Sequence, residues 1–470
     1  MEFLNKIGLI FIILFTAGCT LVPELDVSEN NKKYSIGYEY YNDNIDSSVN
    51  FYSGKDSEVL LSKINSEYLK VLIESTKVNN SEILYYDSKV KELEISYEIS
   101  NLERLPNFNL SGNSSRSKTP TSTSPLGIET ISNSYSIDFG INNFEIDFWG
   151  KLDNTRKSRL SEYYSELNNK EFASSDIIYD VISTYYSIVA EQEKIKSYTK
   201  LLNSAKRNLN INESKYKQKA LSEYELIQSK IIYVETNTQI KKSEQTMMRY
   251  INKLEYLTGE VITPGKIESY INTESLEPTV NIGSAEGIIK RRHDIIASEY
   301  SLIGANYNIG VARANLLPTI SITALSSLAS YKYGDLFSSD SKGWNVGVGL
   351  NIPIFDFGKR NKNIDYNVQK KESAYIKYSD VVSNALVEVN DSIINMSFSS
   401  YFVNENVKKF NLDEKRFYYS NLLYKEGVSD YSTVLDSSRD LINSESNYIN
   451  SKLDYIKSYY ELYKNLGGLI

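Results

Sequence analysis

The sequence predicts an α+β membrane protein in which long coiled-coil helices accompany four β-strands, the whole written as an internal duplication. Three features predict it. A set of residues recurs at a spacing of about 208 positions. Short segments alternate apolar residues with small or polar ones. The segment 151–216, which contains no Pro, carries apolar residues at a seven-residue period.

The duplication sets the order of elements. Leu105-Pro106 returns as Leu317-Pro318, Asp147-Phe148-Trp149-Gly150-Lys151 as Asp356-Phe357-Gly358-Lys359, and Tyr216-Lys217 as Tyr424-Lys425. Leu254, Leu257 and Gly259 return as Leu462, Leu466 and Gly467. Each half therefore reads helix, strand, loop, strand, very long helix, turn, second long helix. The first repeat is assigned to residues 57–259, with strands near 107–117 and 133–148 and a helical hairpin over 151–258. The second is assigned to 291–467, with strands near 318–331 and 344–357 and a hairpin over 359–466; residues 260–290 link the two.

The strands follow from period-two patterning. Trp344, Val346, Val348, Leu350, Ile352 and Ile354 fall on one face, and Asn345, Gly347, Gly349 and Asn351 on the other. Ile320, Ile322 and Ala324 against Ser321 and Thr323 repeat this, as do Tyr135, Ile137, Phe139 and Ile141 against Ser136, Asp138, Gly140 and Asn142. Apolar outward and small or polar inward is the pattern of a transmembrane β-strand. The parity slips at Asn142-Asn143, which predicts a bulge. The first strand, around Phe108 and Leu110, has the weakest alternation. The helices follow from the seven-residue register of Leu160, Leu167, Val181, Ile188, Ile195, Leu202 and Leu209, broken only at Ser174. Such a helix is a rod of roughly 100 Å at 1.5 Å per residue.

Composition narrows the function. Hydrophobic residues make up 41% and the mean hydropathy is −0.38. Beyond the first twenty residues no apolar run approaches the length of a spanning helix, so entry into a membrane requires a β-barrel. A net charge of −8 supplies no basic stripe for nucleic acid. One Cys and one His allow no disulfide and no Cys/His metal cluster, and His293 is read as a helix-start residue. No enzyme activity and no cofactor are therefore expected.

The N-terminus reads as an address. Lys6 precedes the apolar stretch Ile7 to Phe15, followed by Thr16-Ala17-Gly18-Cys19. This resembles a bacterial lipoprotein signal, with residues 1–18 removed, a diacylglycerol on the Cys19 thiol, and residues 19–56 as a lipidated extension. Thr16 stands where such signals usually carry Leu. Thr20 after the Cys resembles lipoproteins sorted to the outer membrane. Acyl chains contribute roughly 0.8 kcal/mol per buried CH₂, enough to anchor when several are present.

Four strands cannot close a barrel. An open edge in lipid leaves backbone groups unsatisfied at several kcal/mol each, so the strands must be shared among chains. Two chains would supply eight strands around a filled lumen, and three would supply twelve around an open bore. The inward Gly and Asn positions favour at least three.

Taken together, Arg292-His293-Asp294, Ala312-Arg313, Leu317-Pro318, the stretch Trp344 to Lys359 and the stretch Tyr424 to Arg439 resemble the TolC-like outer membrane efflux proteins, particularly the lipid-anchored outer-membrane factors of tripartite pumps. His293 stands where that family writes Pro. The resemblance implies a homotrimer with a twelve-stranded barrel in the outer membrane and a helical barrel reaching through the periplasm. It implies a passive exit channel for small molecules such as drugs, toxic compounds or metal ions. Its partners would be outer-membrane lipid, a periplasmic adaptor protein, and an inner-membrane transporter of the RND or ABC type. The adaptor would dock on the hairpin tips, Lys219 and Ser222 in the first and Gly427 and Ser429 in the second. Asp436 matches an aperture Asp of the family, and Asp430 and Glu225 stand at comparable places near the tips. Lys219 replaces the Gly that the family usually has there, which predicts a different turn. Two other readings are the exit channel of a type I protein-secretion system, and a lipid-anchored coiled-coil scaffold without a pore.

Overall fold

The computed structural model describes residues 21–25, 50–52, 64–124, 127–273, 276 and 279–467; Cys19 and the leader lie outside the described residues. In chain order the elements are β1 (Asn50–Tyr52), α1 (Glu67–Asn79), α2 (Ser81–Leu102), β2 (Phe108–Thr119), β3 (Thr130–Ile146), α3 (Lys151–Lys217) and α4 (Glu223–Thr258). They continue as β4 (Thr279–Asn281), α5 (Ala285–Arg291), α6 (His293–Ala314), β5 (Thr319–Ser330), β6 (Lys342–Asn351), α7 (Lys359–Lys425) and α8 (Tyr431–Asn465). Two compact units draw on both repeats: one comprises 1–27, 90–166 and 298–378, the other 28–89, 167–297 and 379–470.

The first unit holds a four-stranded antiparallel sheet in the order β2-β3-β5-β6. Residues opposite one another in a ladder share a face. Leu110, Phe139, Ser326 and Trp344 make one rung, and Phe108, Ile141, Ala324 and Val346 the next. Phe144, Ile322 and Val348, then Ile146, Ile320 and Leu350, extend the same face. This apolar face is uncovered, with Trp344 81% and Val348 75% exposed. The opposite face is mostly small and polar, carrying Asn109, Ser111, Asp138, Ser327, Thr323 and Asn345.

The parity slip in β3 is a bulge between Ile141 and Phe144. Asn143 takes φ 56° and donates its N–H to Thr323 Oγ1 at 3.1 Å. The extra residue returns Phe144 and Ile146 to the face of Ile141. Gly140 is required beside it: φ is 144°, and a Cβ there would lie 2.1 Å from the Ala324 carbonyl oxygen. At its far end β6 stops at Asn351, short of Ile352 and Ile354, which the alternation had placed in the strand. Its partner β5 begins only at Thr319, and Pro353 has no N–H to give a ladder.

The repeated Asp-Phe-Gly-Lys segments are strand-to-helix turns. Asp147 accepts the N–H groups of Leu152 and Asp153 at 3.0 and 2.8 Å, and Asp356 those of Gly358 and Arg360 at 3.0 and 3.1 Å. Each carboxylate satisfies donors that the first turn of a helix leaves without partners. Trp149 Nε1 donates to the Pro318 carbonyl at 2.6 Å, tying the two repeats at this level. The chain just after Cys19 is fastened to α6. Arg313 Nη1 donates to the Leu21 carbonyl at 2.9 Å and Asn306 Nδ2 to that of Pro23 at 2.8 Å.

The second unit is helical around one core. Ile178, Val181, Ile182, Tyr185, Ile188 and Val189 of α3 meet Leu69 and Leu72 of α1, Leu254 of α4, Ile393 of α7 and Ile456, Tyr459 and Tyr460 of α8. Arg292, 3% exposed, stands beside it. Its guanidinium donates to Asp294 at 2.7 Å, to Glu388 at 2.7 Å and to the Asn465 carbonyl at 3.2 Å. His293 opens α6, with Nδ1 2.9 Å from Asn168 Oδ1. The two-stranded parallel pair β1-β4 lies in this unit too.

Gly140→Ala is expected to cost about 2 kcal/mol or more, because the new methyl meets backbone that cannot retreat and the residue holds a positive φ. The check is a lowered urea midpoint together with weakened protection of the β3–β5 amides in hydrogen exchange.

Candidate functional site

The two hairpin turns close in the same way. In the first, Lys219 N–H donates to the Tyr216 carbonyl and Ala220 N–H to that of Lys215, both at 2.9 Å. In the second, Gly427 N–H donates to the Tyr424 carbonyl at 3.1 Å and Val428 N–H to that of Leu423 at 2.9 Å. These paired bonds are the Schellman closure of a helix end, which needs a left-handed residue. Lys219 supplies it at φ 62° and Gly427 at φ 73°. The turn at Lys219 is therefore not different in kind; a side chain occupies a conformation that Gly adopts without strain.

The helices leaving the turns start differently. Ser222 caps α4: its hydroxyl accepts from Glu225 N–H at 3.2 Å, while the Glu225 carboxylate accepts from Ser222 N–H at 3.2 Å. This capping box occupies the Glu225 carboxylate. At the repeat spacing of about 208 residues Ser222 corresponds to Asp430, and Glu225 to Thr433. Asp430 is the cap residue of α8 but makes no side-chain capping bond. The Ser429 hydroxyl beside it is buried without a hydrogen-bond partner among the described residues. Asp436 lies on α8 with an exposed side chain.

Four helices pack behind the tips in the second unit. Ala205 of α3, Ile232 of α4, and Tyr431, Val434 and Leu435 of α8 form a small core. Tyr424 Oη donates to Asn212 Oδ1 at 3.2 Å, and Asn212 Nδ2 to Ser229 Oγ at 2.7 Å, so α7, α3 and α4 share one chain of bonds. One turn beyond Asp436, Arg439 grips Glu235 of α4 with two bonds, at 3.0 and 2.8 Å. Arg416 of α7 pairs with Asp440 of α8.

Farther along α8, Lys452 pairs with Glu193 of α3, and Ser197 of α3 donates to Glu445 of α8. Burial pushes the Glu445 carboxyl up to about 7, against the opposing pull of Lys200 and Lys452. The family resemblance had pointed to Asp436, Asp430 and Glu225; it had not pointed to Arg439, Glu235 or Glu445. The i, i+3 pair Asp436 and Arg439 was the available signal, but their cross-helix partners are set by packing alone. Among the described residues no helix is long and apolar enough to cross a membrane.

The family model for outer membrane efflux proteins matches residues 72–228 and 286–468. The toluene efflux pump outer membrane protein TtgI of Pseudomonas putida is 26% identical over 467 residues, covering 97% of each chain. The cation efflux system protein CusC of Escherichia coli is 25% identical over 404 residues, 85% of this chain and 86% of that one. Among solved structures, the Campylobacter jejuni CmeC outer membrane channel superposes with a TM-score of 0.85 at 22% identity, covering 96% of this chain and 95% of that one. A CusC structure gives 0.82 at 22% identity, covering 96% and 100%.

Lys219→Gly is expected to stabilise the first tip by roughly 0.5–1 kcal/mol, read as slower hydrogen exchange at the amides of the α3–α4 turn. Because the folded Glu445 holds its proton to about pH 7 and the unfolded one releases it near 4.5, the folded state binds more protons between those values. The α3–α8 contact therefore loses stability as pH rises from about 4.5 through 7. Glu445→Gln is expected to flatten that slope and to be the more stable protein at pH 8, as measured by urea unfolding across pH.

Proposed function

This chain belongs to the outer membrane efflux protein family, and we propose that three copies of it close one passive exit duct. As a member of that family it is an outer-membrane efflux channel, working with an adaptor and an inner-membrane transporter. The observation that carries the trimer is the sheet of the first unit. It has one exposed apolar face, one polar face, and two outer edges, on β2 and β6, without partners among the described strands. The four strands alternate in direction, so β6 of one copy meets β2 of the next antiparallel, and a head-to-tail ring leaves no edge. Three copies give twelve strands and an open bore lined by the Ser, Asn and Gly face.

The tips are proposed as the docking ground for the adaptor, through Lys219 and Ser222 in the first hairpin and Gly427 and Ser429 in the second. Asp436 is proposed as the aperture carboxylate. It is exposed, whereas the Glu225 carboxylate is held in a capping box. Three-fold symmetry turns Asp436 into a ring that favours cations in the bore. The adjoining Arg439–Glu235 and Arg416–Asp440 pairs fasten α8 to α4 and α7 at that level. Anchoring through a diacylglycerol on Cys19 is supported by Arg313 and Asn306, which hold Leu21 and Pro23 in the same unit as the sheet. The cargo is proposed as small molecules; the relatives' names cover toluene in one case and cations in another.

Protein extracted from outer membranes is expected to have the mass of three protomers and to shift mobility on heating before electrophoresis. A monomer without conductance in planar bilayers would overturn the duct. Asp436→Asn is expected to lower cation preference and weaken block by multivalent cations in single-channel recordings; unchanged values would remove the gate assignment. Cys19→Ala is expected to lose the lipid mass in intact-protein mass spectrometry.

A further inference from the structure

We propose that the loop end of the sheet's apolar face binds the phosphate-bearing headgroups of outer-leaflet lipid, with Arg116, Lys118 and Lys342 as its cations. The proposal rests on the outer-membrane barrel argued above.

The ladder register places these residues. Along β5 the apolar face runs from Ile320 to Leu328, with Leu350 and Lys342 as the β6 partners of the two ends. Eight residues of strand at about 3.4 Å each, tilted as barrel strands are, span roughly 20 Å of height, close to the apolar band of an outer-membrane barrel. Lys342 therefore marks the loop-side limit of the band. On β2 the same face continues past Gly112, opposite Ile137, to Arg116, opposite Asn133, and Lys118, opposite Ile131. All three cations are exposed and share the face of Phe108 and Leu110.

Charge pairing differs between the two ends of the sheet. At the helix end Lys151 pairs with Glu145 at 3.0 Å, Arg360 with Asp356 at 3.0 Å and Arg156 with Asp153 at 2.9 Å. At the loop end Lys118 pairs with Glu129 at 2.9 Å. Arg116 and Lys342 have no carboxylate within ion-pair range among the described residues, and Asp335 and Asp340 of the β5–β6 loop reach neither. An unpaired Lys342 at the limit of the apolar band, with an unpaired Arg116 four residues farther along the same face, matches a molecule with phosphate above acyl chains, and the guanidinium fork suits a phosphate in particular. Ring closure strengthens the match. Lys342 sits on the β6 edge and Arg116 and Lys118 on the β2 edge, so each seam gathers cations from two copies. The apolar continuation below them is what selects a lipid over free phosphate.

The test is native mass spectrometry of the full-length protein in detergent, titrated with diphosphorylated lipid A. Wild-type assemblies are expected to retain it, and the double variant Arg116→Gln, Lys342→Gln to bind about tenfold more weakly. Dephosphorylated lipid A is expected to bind the wild type no better than the double variant binds the diphosphorylated form. Inorganic phosphate at millimolar concentration is expected not to compete. The charge-keeping variant Arg116→Lys, Lys342→Arg is expected to bind as wild type, which separates loss of charge from misfolding. Equal binding by the Gln variant, full binding of dephosphorylated lipid A, or displacement by inorganic phosphate would each overturn the proposal. Assembly mass and conductance are measured on the same preparations. Their absence in the wild type overturns the duct reading, whereas their presence with unchanged lipid binding overturns the lipid surface alone.

Discussion

Backbone amides at the rim of a sheet need partners, and lipid offers none. Four strands with two open edges are stable in water as part of a larger fold, but in hydrocarbon each unpaired group costs several kcal/mol. Most features of the first unit answer this constraint. The even number of alternating strands gives the two outer edges, on β2 and β6, opposite directions, as an antiparallel seam between copies would need. The bulge at Asn143 keeps Phe144 and Ile146 on the lipid face after the extra residue, and Gly140 lets β5 approach closely enough to keep its ladder. A polar face of hydroxyls and amides suits a wet interior. Even Asp138, the charged group in the middle of that face, is held by the hydroxyls of Ser327 and Ser136.

Duplication meets the same need twice and then lets the copies diverge. Asp147 and Asp356 both cap the start of a 67-residue helix, and both hairpins end in a Schellman turn. The tips then part company. The first combines a strained Lys219 with a complete Ser222–Glu225 capping box, whereas the second has a relaxed Gly427, an uncapped helix start at Asp430 and a Ser429 hydroxyl without a hydrogen-bond partner among the described residues. Less of the second tip is fixed by its own local bonds. Its position depends more on Tyr431, Val434 and Leu435 and on the Arg416 and Arg439 pairs.

Much of this was legible in the residues because its causes are periodic. Trp344 to Leu350 declare a strand by alternation, and the slip at Asn142-Asn143 declares the bulge. Helix limits follow from the same kind of signal, since Gly and Asp motifs mark the ends. Ile352 and Ile354 mislead because alternation persists past Pro318, where the neighbouring strand has not yet begun. Lys219 misleads because a side chain can hold a left-handed conformation when the surrounding bonds require it. Arg292 could be quoted as a motif, but its role as a buried hub joining Asp294, Glu388 and the Asn465 carbonyl depends on residues far apart in the chain. The lone cations Arg116 and Lys342 look like any surface residues until the ladder register puts them on one face.

Several of the polar side chains that stand out in the sequence are spent on structure. Arg292 is enclosed by carboxylates and carbonyls, His293 faces Asn168 at a helix start, and Asp147, Asp356 and Glu225 hold helix N-termini. A group already engaged by fixed partners contributes little further binding energy to a passing solute, because the new contact must replace an existing one. The groups left over are exposed and separated, as Asp436 is. An assembly built this way attracts or repels by charge and sorts by bore width, but has few preorganised contacts with which to grip one molecule. Selection of cargo would then fall to whatever loads the duct, and in the proposed trimer the chain's own selectivity would be concentrated where three copies of the Asp436 carboxylate form a ring.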